Sequence, residues 1–300
     1  MENTDWSALG FDYRKTDYNV RYSFADGKWS DMVVTDDEYI QMHMSASCLH
    51  YGIELFEGLK AFRGVDGKVR LFRVADNARR LQSSAKRLCL PVPSIEMIVD
   101  ACIEVVKRNE RFVPPYGTGA SLYLRPVMFG TTVGLGVKPA REALLIVYCS
   151  PVGAYFKSGI KPIRVAIDRE QDRAAPRGTG DVKVGGNYAA SLISSKQAKE
   201  RGCAVALFLD PATHTFIDEF GTSNFLGRGG HLIALLQAAQ GNGFRTKTLR
   251  GNCNIHRHIA IACGDGRTQI LHAQHLLEGA IGIENGLVAT QEAHGLAFLH

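Results

Sequence analysis

Through its first 150 residues the chain alternates strand-like and helix-like hydrophobic patterns, and this alternation narrows the possible folds more than any other feature. Val69-Arg70-Leu71-Phe72 reads as a short strand, after which Asp76 offers an N-cap to a helix through Arg80, Leu81, Ala85 and Leu88. Ser94 can cap a second helix, where Ile95, Ile98, Val99, Cys102, Val105 and Val106 recur at the 3.6-residue period until Pro114-Pro115 ends it. The stretch 121–129 shows the other period: Ser121, Tyr123 and Arg125 fall on one face of a strand, opposite Leu122 and Leu124. The unbroken apolar run 144–149 fits a strand buried on both faces. Strands and helices in turn predict an α/β fold.

Three hundred residues with 45% hydrophobic content suffice for two cores. The run Ser150-Pro151-Val152-Gly153-Ala154-Tyr155-Phe156-Lys157-Ser158-Gly159 has the composition of a crossover. It divides a smaller N-terminal α/β domain, 1–150, from the start of a larger domain, 161–227, with 151–160 between them. Beyond it we expect strands at 163–167 and 204–209 and a helix from about 188 to 201. Gly202 stands at its C-cap, and Asp210-Pro211-Ala212-Thr213 forms a turn into Phe216-Ile217.

The net charge of +5 is dispersed and forms no basic block, which argues against nucleic-acid or membrane-surface binding. No apolar stretch reaches 18 residues. Met1-Glu2-Asn3-Thr4-Asp5 is polar and acidic, unlike a secretory or transit peptide. The seven cysteines (48, 89, 102, 149, 203, 253, 263) contain no Cys-x-x-Cys pair and read as reduced thiols of a cytoplasmic protein.

Residue types that carry chemistry concentrate between Gly178 and Asn224. In Gly178-Thr179-Gly180-Asp181-Val182-Lys183-Val184-Gly185-Gly186-Asn187-Tyr188 one lysine stands between two glycine-rich turns. Glycine lets backbone approach a flat ligand closely, and a lysine held in an apolar site becomes an amine nucleophile suited to Schiff-base chemistry. Taken alone, the same run describes a solvated lysine on a turn. In Ile217-Asp218-Glu219-Phe220-Gly221-Thr222-Ser223-Asn224-Phe225 an acid is set among apolar residues. It suits either a strand-end salt bridge or the nitrogen of a pyridine ring.

Together and in this order, the two segments resemble the fold-type IV pyridoxal-phosphate enzymes. Three further segments narrow the resemblance to the branched-chain amino-acid aminotransferases: Leu49-His50-Tyr51-Gly52-Ile53-Glu54-Leu55-Phe56-Glu57-Gly58-Leu59-Lys60-Ala61-Phe62, Tyr123-Leu124-Arg125-Pro126-Val127, and Cys149-Ser150-Pro151-Val152-Gly153-Ala154-Tyr155-Phe156. The resemblance runs from about residue 10 to Gly227. It implies a two-domain fold with the site between the domains, and pyridoxal 5'-phosphate as cofactor. By the same resemblance Lys183 forms the aldimine and shuttles a proton, Glu219 meets the pyridine nitrogen and Tyr188 the phenolic oxygen. Arg80 would bind the phosphate, with Thr222 and Asn224 nearby. Phe56, Tyr123 and Tyr155 would line the pocket for a branched side chain, while Arg125 and Tyr123 take the glutamate carboxylate. Tyr51 would reach the site of a neighbouring subunit, implying a homodimer. The implied reaction passes an amino group from leucine, isoleucine or valine to 2-oxoglutarate by a ping-pong route. A D-amino-acid aminotransferase or aminodeoxychorismate lyase fits less well, because the strand at 123–125 and the Phe56/Tyr155 pocket match the branched-chain group.

From about Arg228 the character changes. Residues 228–300 contain no proline, tyrosine or tryptophan, yet hold seven of the ten histidines. The Leu-Pro-x-Ile-Thr and Gly-Thr-Ala turns, whose amides bind phosphate and substrate carboxylate in the family, are missing. We expect an atypical C-terminal segment, altered as by a change of reading frame, with cofactor binding weakened and activity impaired. The spacing of Cys253, His256, His258, Cys263, His272 and His275 matches no zinc pattern, and no metal is expected.

Overall fold

The computed structural model describes residues 4–154, 163–175, 177–214 and 217–229, with side chains as far as Ser223. It also describes the backbone of five strands at 232–237, 245–248, 259–263, 267–271 and 287–291. Among the described residues no helix is long and apolar enough to cross a membrane. The chain divides into two compact units, Met1–Lys157 with Val182–Gly185, and Ser158–Asp181 with Gly186–His300.

The first unit contains β1 (Asn19–Ala25), β2 (Lys28–Trp29), β3 (Val33–Thr35), α1 (Ser47–Tyr51), β4 (Glu54–Phe56), β5 (Leu59–Arg63), β6 (Val69–Leu71), α2 (Val74–Arg87), α3 (Ile95–Arg108), β7 (Ser121–Gly130) and β8 (Ala143–Val152). Its strands form one sheet in the order β2-β1-β8-β7-β5-β6, with β3 joined to β1 and β4 to β7. Every pairing is antiparallel. Along β7 the period-two expectation holds: Leu122, Leu124 and Met128 are fully buried, while Tyr123, Arg125, Val127 and Phe129 are half-buried. The buried face packs with Ala78, Leu81 and Ala85 of α2 and Ile98, Ala101, Cys102 and Val105 of α3 in one hydrophobic core. The half-buried face is therefore left for polar and aromatic side chains.

Local signals located the helices well, with two differences. Ser94 caps α3, its hydroxyl accepting from the Met97 amide at 3.1 Å. Asp76, expected at a cap, lies inside the first turn of α2, and the cap position is Arg73, with left-handed φ of 49°. Asp76 pairs with both Arg73 and Arg79, which flank it on that turn, so its carboxylate serves side chains and the helix dipole but no end amide.

In the second unit β9 (Val165–Asp168) runs parallel to β10 (Val205–Leu209), and β10 pairs antiparallel with β11 (Ile217–Phe220). The helix expected over 188–201 is broken: α4 (Gly185–Ala190) stops and α5 (Leu192–Glu200) begins after Ser191. The Ser191 hydroxyl donates to the Tyr188 carbonyl at 2.8 Å, a local bond that competes with the helical ladder. Gly202 then takes a φ of 69°, the conformation that ends α5 and admits glycine without strain. Asp210 makes the expected turn, Oδ1 accepting from the Thr213 amide at 2.8 Å.

The backbone continues through β12 (Ser223–Gly229), β13 (Leu232–Gln237), β14 (Arg245–Thr248), β15 (Ile259–Cys263), β16 (Arg267–Leu271) and β17 (Leu287–Gln291). The sheet order is β11-β10-β9-β16-β15-β17-β12-β13-β14.

Candidate active site

Lys183 is held in place through its backbone. Its neighbours Val182 and Val184 are both buried in the core of the first unit. The Lys183 amide donates to Ser84 Oγ on α2 at 3.1 Å, and its carbonyl accepts from the Phe56 amide on β4 at 3.2 Å. Two residues on, the Gly185 amide donates to Glu54 Oε1 at 2.6 Å. A Cβ on Gly185 would stand 2.0 Å from that oxygen, so glycine is what lets the chain close on Glu54. Burial raises the pKa of Glu54, against which the Gly185 amide and the Arg125 charge act.

The lysine side chain is itself buried, with Lys183 only 7% exposed and Nζ 5.0 Å from the centroid of the Phe56 ring. Arg125 Cζ lies 4.6 Å from the same centroid. Arg125 Nη2 donates to the Tyr123 hydroxyl at 2.9 Å. Phe56, Tyr123, Arg125 and Lys183, separated by up to 127 residues in sequence (183 − 56), thus share one neighbourhood within the first unit. Its chemistry is an amine and a guanidinium beside an aromatic face.

Arg80 lies one turn before Ser84 on α2. Its Nε donates to Glu57 Oε1 at 2.6 Å and its Nη2 to Oε2 at 2.8 Å, a bidentate pair. Glu57 is fully buried and also accepts from Asn77 Nδ2 at 2.9 Å. Arg80, which the family resemblance assigns to a phosphate, thus has its Nε–Nη2 edge on a carboxylate to which the sequence gave no role. Tyr51, at the end of α1, is exposed and donates its hydroxyl to the Leu135 carbonyl of its own chain.

Within the second unit, Glu219 on β11 and Tyr188 on α4 meet at Arg173, a residue the sequence reading missed. Arg173 is 6% exposed. Its Nε stands 3.2 Å from Glu219 Oε1, and its Cζ lies 5.1 Å from the Tyr188 ring centroid. Its Nη1 donates to the Asn187 carbonyl at 3.3 Å. Asn187 in turn fixes the glycine turn before the lysine: its Nδ2 donates to the Thr179 carbonyl and its Oδ1 accepts from Thr179 Oγ1, each at 2.7 Å. Next to Glu219, burial pushes the Asp218 carboxyl up to about 6, opposed by Arg173 and reinforced by Asp210 and Asp172. Thr222 is exposed in the turn between β11 and β12. Asn224 is described only by its backbone in β12, opposite Thr290. Tyr155 and the histidines at 256, 258, 272 and 275, with Cys253, lie outside the described residues, as do the side chains of β15 that include Cys263.

The sequence model of class IV amino-transferases matches residues 54–243, which include Phe56, Arg80, Tyr123, Arg125, Lys183, Tyr188 and Glu219 but not Tyr51. The chain belongs to the class IV aminotransferase family. It is 50% identical over 228 residues to the branched-chain-amino-acid aminotransferase of Helicobacter pylori, a match covering 76% of this chain and 67% of that protein. A second relative, the branched-chain-amino-acid aminotransferase of Haemophilus influenzae, is 50% identical over 232 residues, covering 76% of this chain and 67% of that one. Among solved structures it resembles the branched-chain aminotransferase of Escherichia coli, with a TM-score of 0.59 and 29% identity over 73% of this chain and 67% of that one. A further solved branched-chain aminotransferase, carrying pyridoxamine 5'-phosphate, has the same fold. The fold-type IV architecture expected from sequence is thereby established, as is the class of enzyme, a pyridoxal-phosphate-dependent transaminase.

The residues present suit that cofactor. In the first unit a buried amine is held by its own backbone near a helix-borne guanidinium. In the second, Arg173 Nε is buried without a well-aimed hydrogen bond among the described residues, beside a carboxylate and a phenol. An amine for an aldehyde, a cation for a phosphate and a carboxylate for a ring nitrogen are the donor types that this group requires.

Proposed function

We propose that this chain transfers the amino group of leucine, isoleucine or valine to 2-oxoglutarate in two half-reactions that together return the site to its starting state. The observation that carries this reading is the Phe56 ring, whose centroid lies 5.0 Å from Lys183 Nζ and 4.6 Å from Arg125 Cζ. An aromatic face suits a branched aliphatic side chain, and a guanidinium beside it suits the second carboxylate of a glutamate-like partner. One pocket then accepts both by presenting different edges. The names of the relatives support a branched-chain amino acid as one substrate.

When bound, pyridoxal 5'-phosphate supplies the electron sink that makes the substrate Cα proton removable. Lys183 Nζ would be the carrier of that proton, and its clamped backbone limits the arc through which the amine swings. Glu219 would accept from the ring nitrogen and Tyr188 donate to the phenolic oxygen. Arg80, with Glu57 holding its other edge, would face the phosphate, and Thr222 and Asn224 complete that neighbourhood. Tyr123 keeps Arg125 in one orientation for the substrate carboxylate, and Tyr155 adds to the apolar wall. We read the enzyme as a cytoplasmic homodimer in which the exposed Tyr51 serves the adjoining subunit.

A second reading, a catalytically impaired member of the family, is favoured by the composition of residues 228–300, where the two phosphate-binding turns are missing. One titration separates the two. Purified protein is mixed with pyridoxal 5'-phosphate and its visible absorbance followed, then leucine is added. The active reading expects a band that leucine discharges, that Lys183→Ala abolishes, and a loss of transamination in that variant of roughly 10³-fold or more. Wild-type protein without such a band supports the impaired reading and overturns the first.

A further inference from the structure

Arg173 has no part in the reading above, yet it occupies the centre of the second unit's polar cluster. It is buried to 6% exposure, and removing a guanidinium from water is unfavourable unless its charge is paired. Three elements converge on it: the loop before the glycine turn supplies the arginine, α4 supplies Tyr188 and the Asn187 carbonyl, and β11 supplies Glu219. The contact to Glu219 is ionic, 3.2 Å between Nε and Oε1 without the N–H aimed along that line. A brace built for stability alone would place the planar fork on both carboxylate oxygens, as Arg80 does on Glu57 at 2.6 and 2.8 Å. Arg173 instead lends charge to Glu219 and lies over the Tyr188 ring, 5.1 Å from its centroid.

We infer that Arg173 is a positioning residue for the cofactor ring. Its charge holds the Glu219 carboxylate, and its cation–π contact with the ring holds Tyr188 in place. One cation thus sets the geometry at both the nitrogen and the phenolic oxygen of the pyridine ring. This rests on the cofactor roles proposed for Glu219 and Tyr188. It asks of Arg173 positive charge first and fork geometry second, which a purely structural role would not.

The test measures binding, without turnover. Wild type, Arg173→Lys and Arg173→Gln are stripped of cofactor and titrated with 4'-deoxypyridoxine 5'-phosphate, which keeps the ring nitrogen, phenolic oxygen and phosphate but cannot bond to Lys183. Inorganic phosphate serves as competitor to read the phosphate contacts separately. The expected result is binding about tenfold weaker or worse in Arg173→Gln, recovery to within about threefold of wild type in Arg173→Lys, and unchanged competition by phosphate. Equal loss in both variants, or Arg173→Gln binding like wild type, overturns the inference. If Arg173→Gln does not fold, Arg173→Lys decides: affinity near wild type supports a role through charge, and a tenfold loss refutes it. Wild-type protein that shows neither analogue binding nor a Lys183-dependent band refutes the functional reading itself. Wild-type binding with an indifferent Arg173→Gln refutes only the inference.

Discussion

In the first unit Lys183 is fixed through its backbone, whereas in the second Glu219 and Tyr188 are gathered around a single charge. The lysine segment has two flanking valines in an apolar core and three hydrogen bonds to α2 and β4. The Glu219 cluster depends on a buried guanidinium among carboxylates, one of which, Asp218, titrates at about 6. The difference suits the tasks proposed for these residues. A nucleophile that must leave and return benefits from a rigid peptide and a mobile side chain. Groups that tune a ring's electrons benefit from a controlled field.

Three changes would break or sharpen this contrast. The largest effect is expected from Glu57→Ala in the first unit, which strips Arg80 and Asn77 of a fully buried acceptor. Roughly 2–4 kcal/mol of stability should be lost, the lower part of that range reflecting the access of Arg80 to water. Urea denaturation measures it, and a loss below about 0.5 kcal/mol would show the pair to be ornamental.

Next comes Gly185→Ala. The added methyl meets Glu54 Oε1 at 2.0 Å, and either the carboxylate swings away or the lysine segment shifts. About 1–3 kcal/mol of destabilisation is expected, with slower reaction of Lys183 toward pyridoxal 5'-phosphate in stopped-flow absorbance. Wild-type rates in this variant would mean that backbone clamping does not govern the lysine.

The smallest effect belongs to the second unit. Asp218 binds its proton more tightly when folded, since burial raises it from 3.8 to about 6. Stability from this group is therefore complete below about pH 4 and declines as pH rises through about 6. Asp218→Asn removes the decline, so the variant should exceed wild type at pH 8, by less than the roughly 3 kcal/mol that the full shift corresponds to, and match it near pH 4. Parallel melting curves across that range would expose a contrary sign.

Much of the first unit was legible in the sequence because its signals are local. The period of two along β7 assigned Leu122 and Leu124 to the core and Tyr123 and Arg125 to the other face, and the Ser94 cap fell where expected. Local signals failed where side chains competed for the backbone. Ser191 broke a helix that looked continuous, and Asp76 preferred two arginines to an end amide. Of the candidate residues, Lys183, Phe56, Tyr123 and Arg125 come together in one unit, and Glu219 meets Tyr188 in the other. Glu54, Glu57 and Arg173 had no sequence signal, since a glutamate in a strand or an arginine in a loop looks the same whether paired or solvated.

The amino-acid sequence by itself determined the alternation of elements, the faces of β7 and α3, and through its motifs the family and a candidate lysine, Lys183. Those follow from periodicity and residue chemistry, which act over a few positions. Only the tertiary structure decided how that lysine is held, by Ser84 at 99 residues' separation and Glu54 at 131 from Gly185, and that one buried arginine joins Glu219 to Tyr188. Hydrogen bonds and ion pairs between distant segments leave no periodic trace, because any one of many polar residues can supply the donor or acceptor once the fold has brought it within reach.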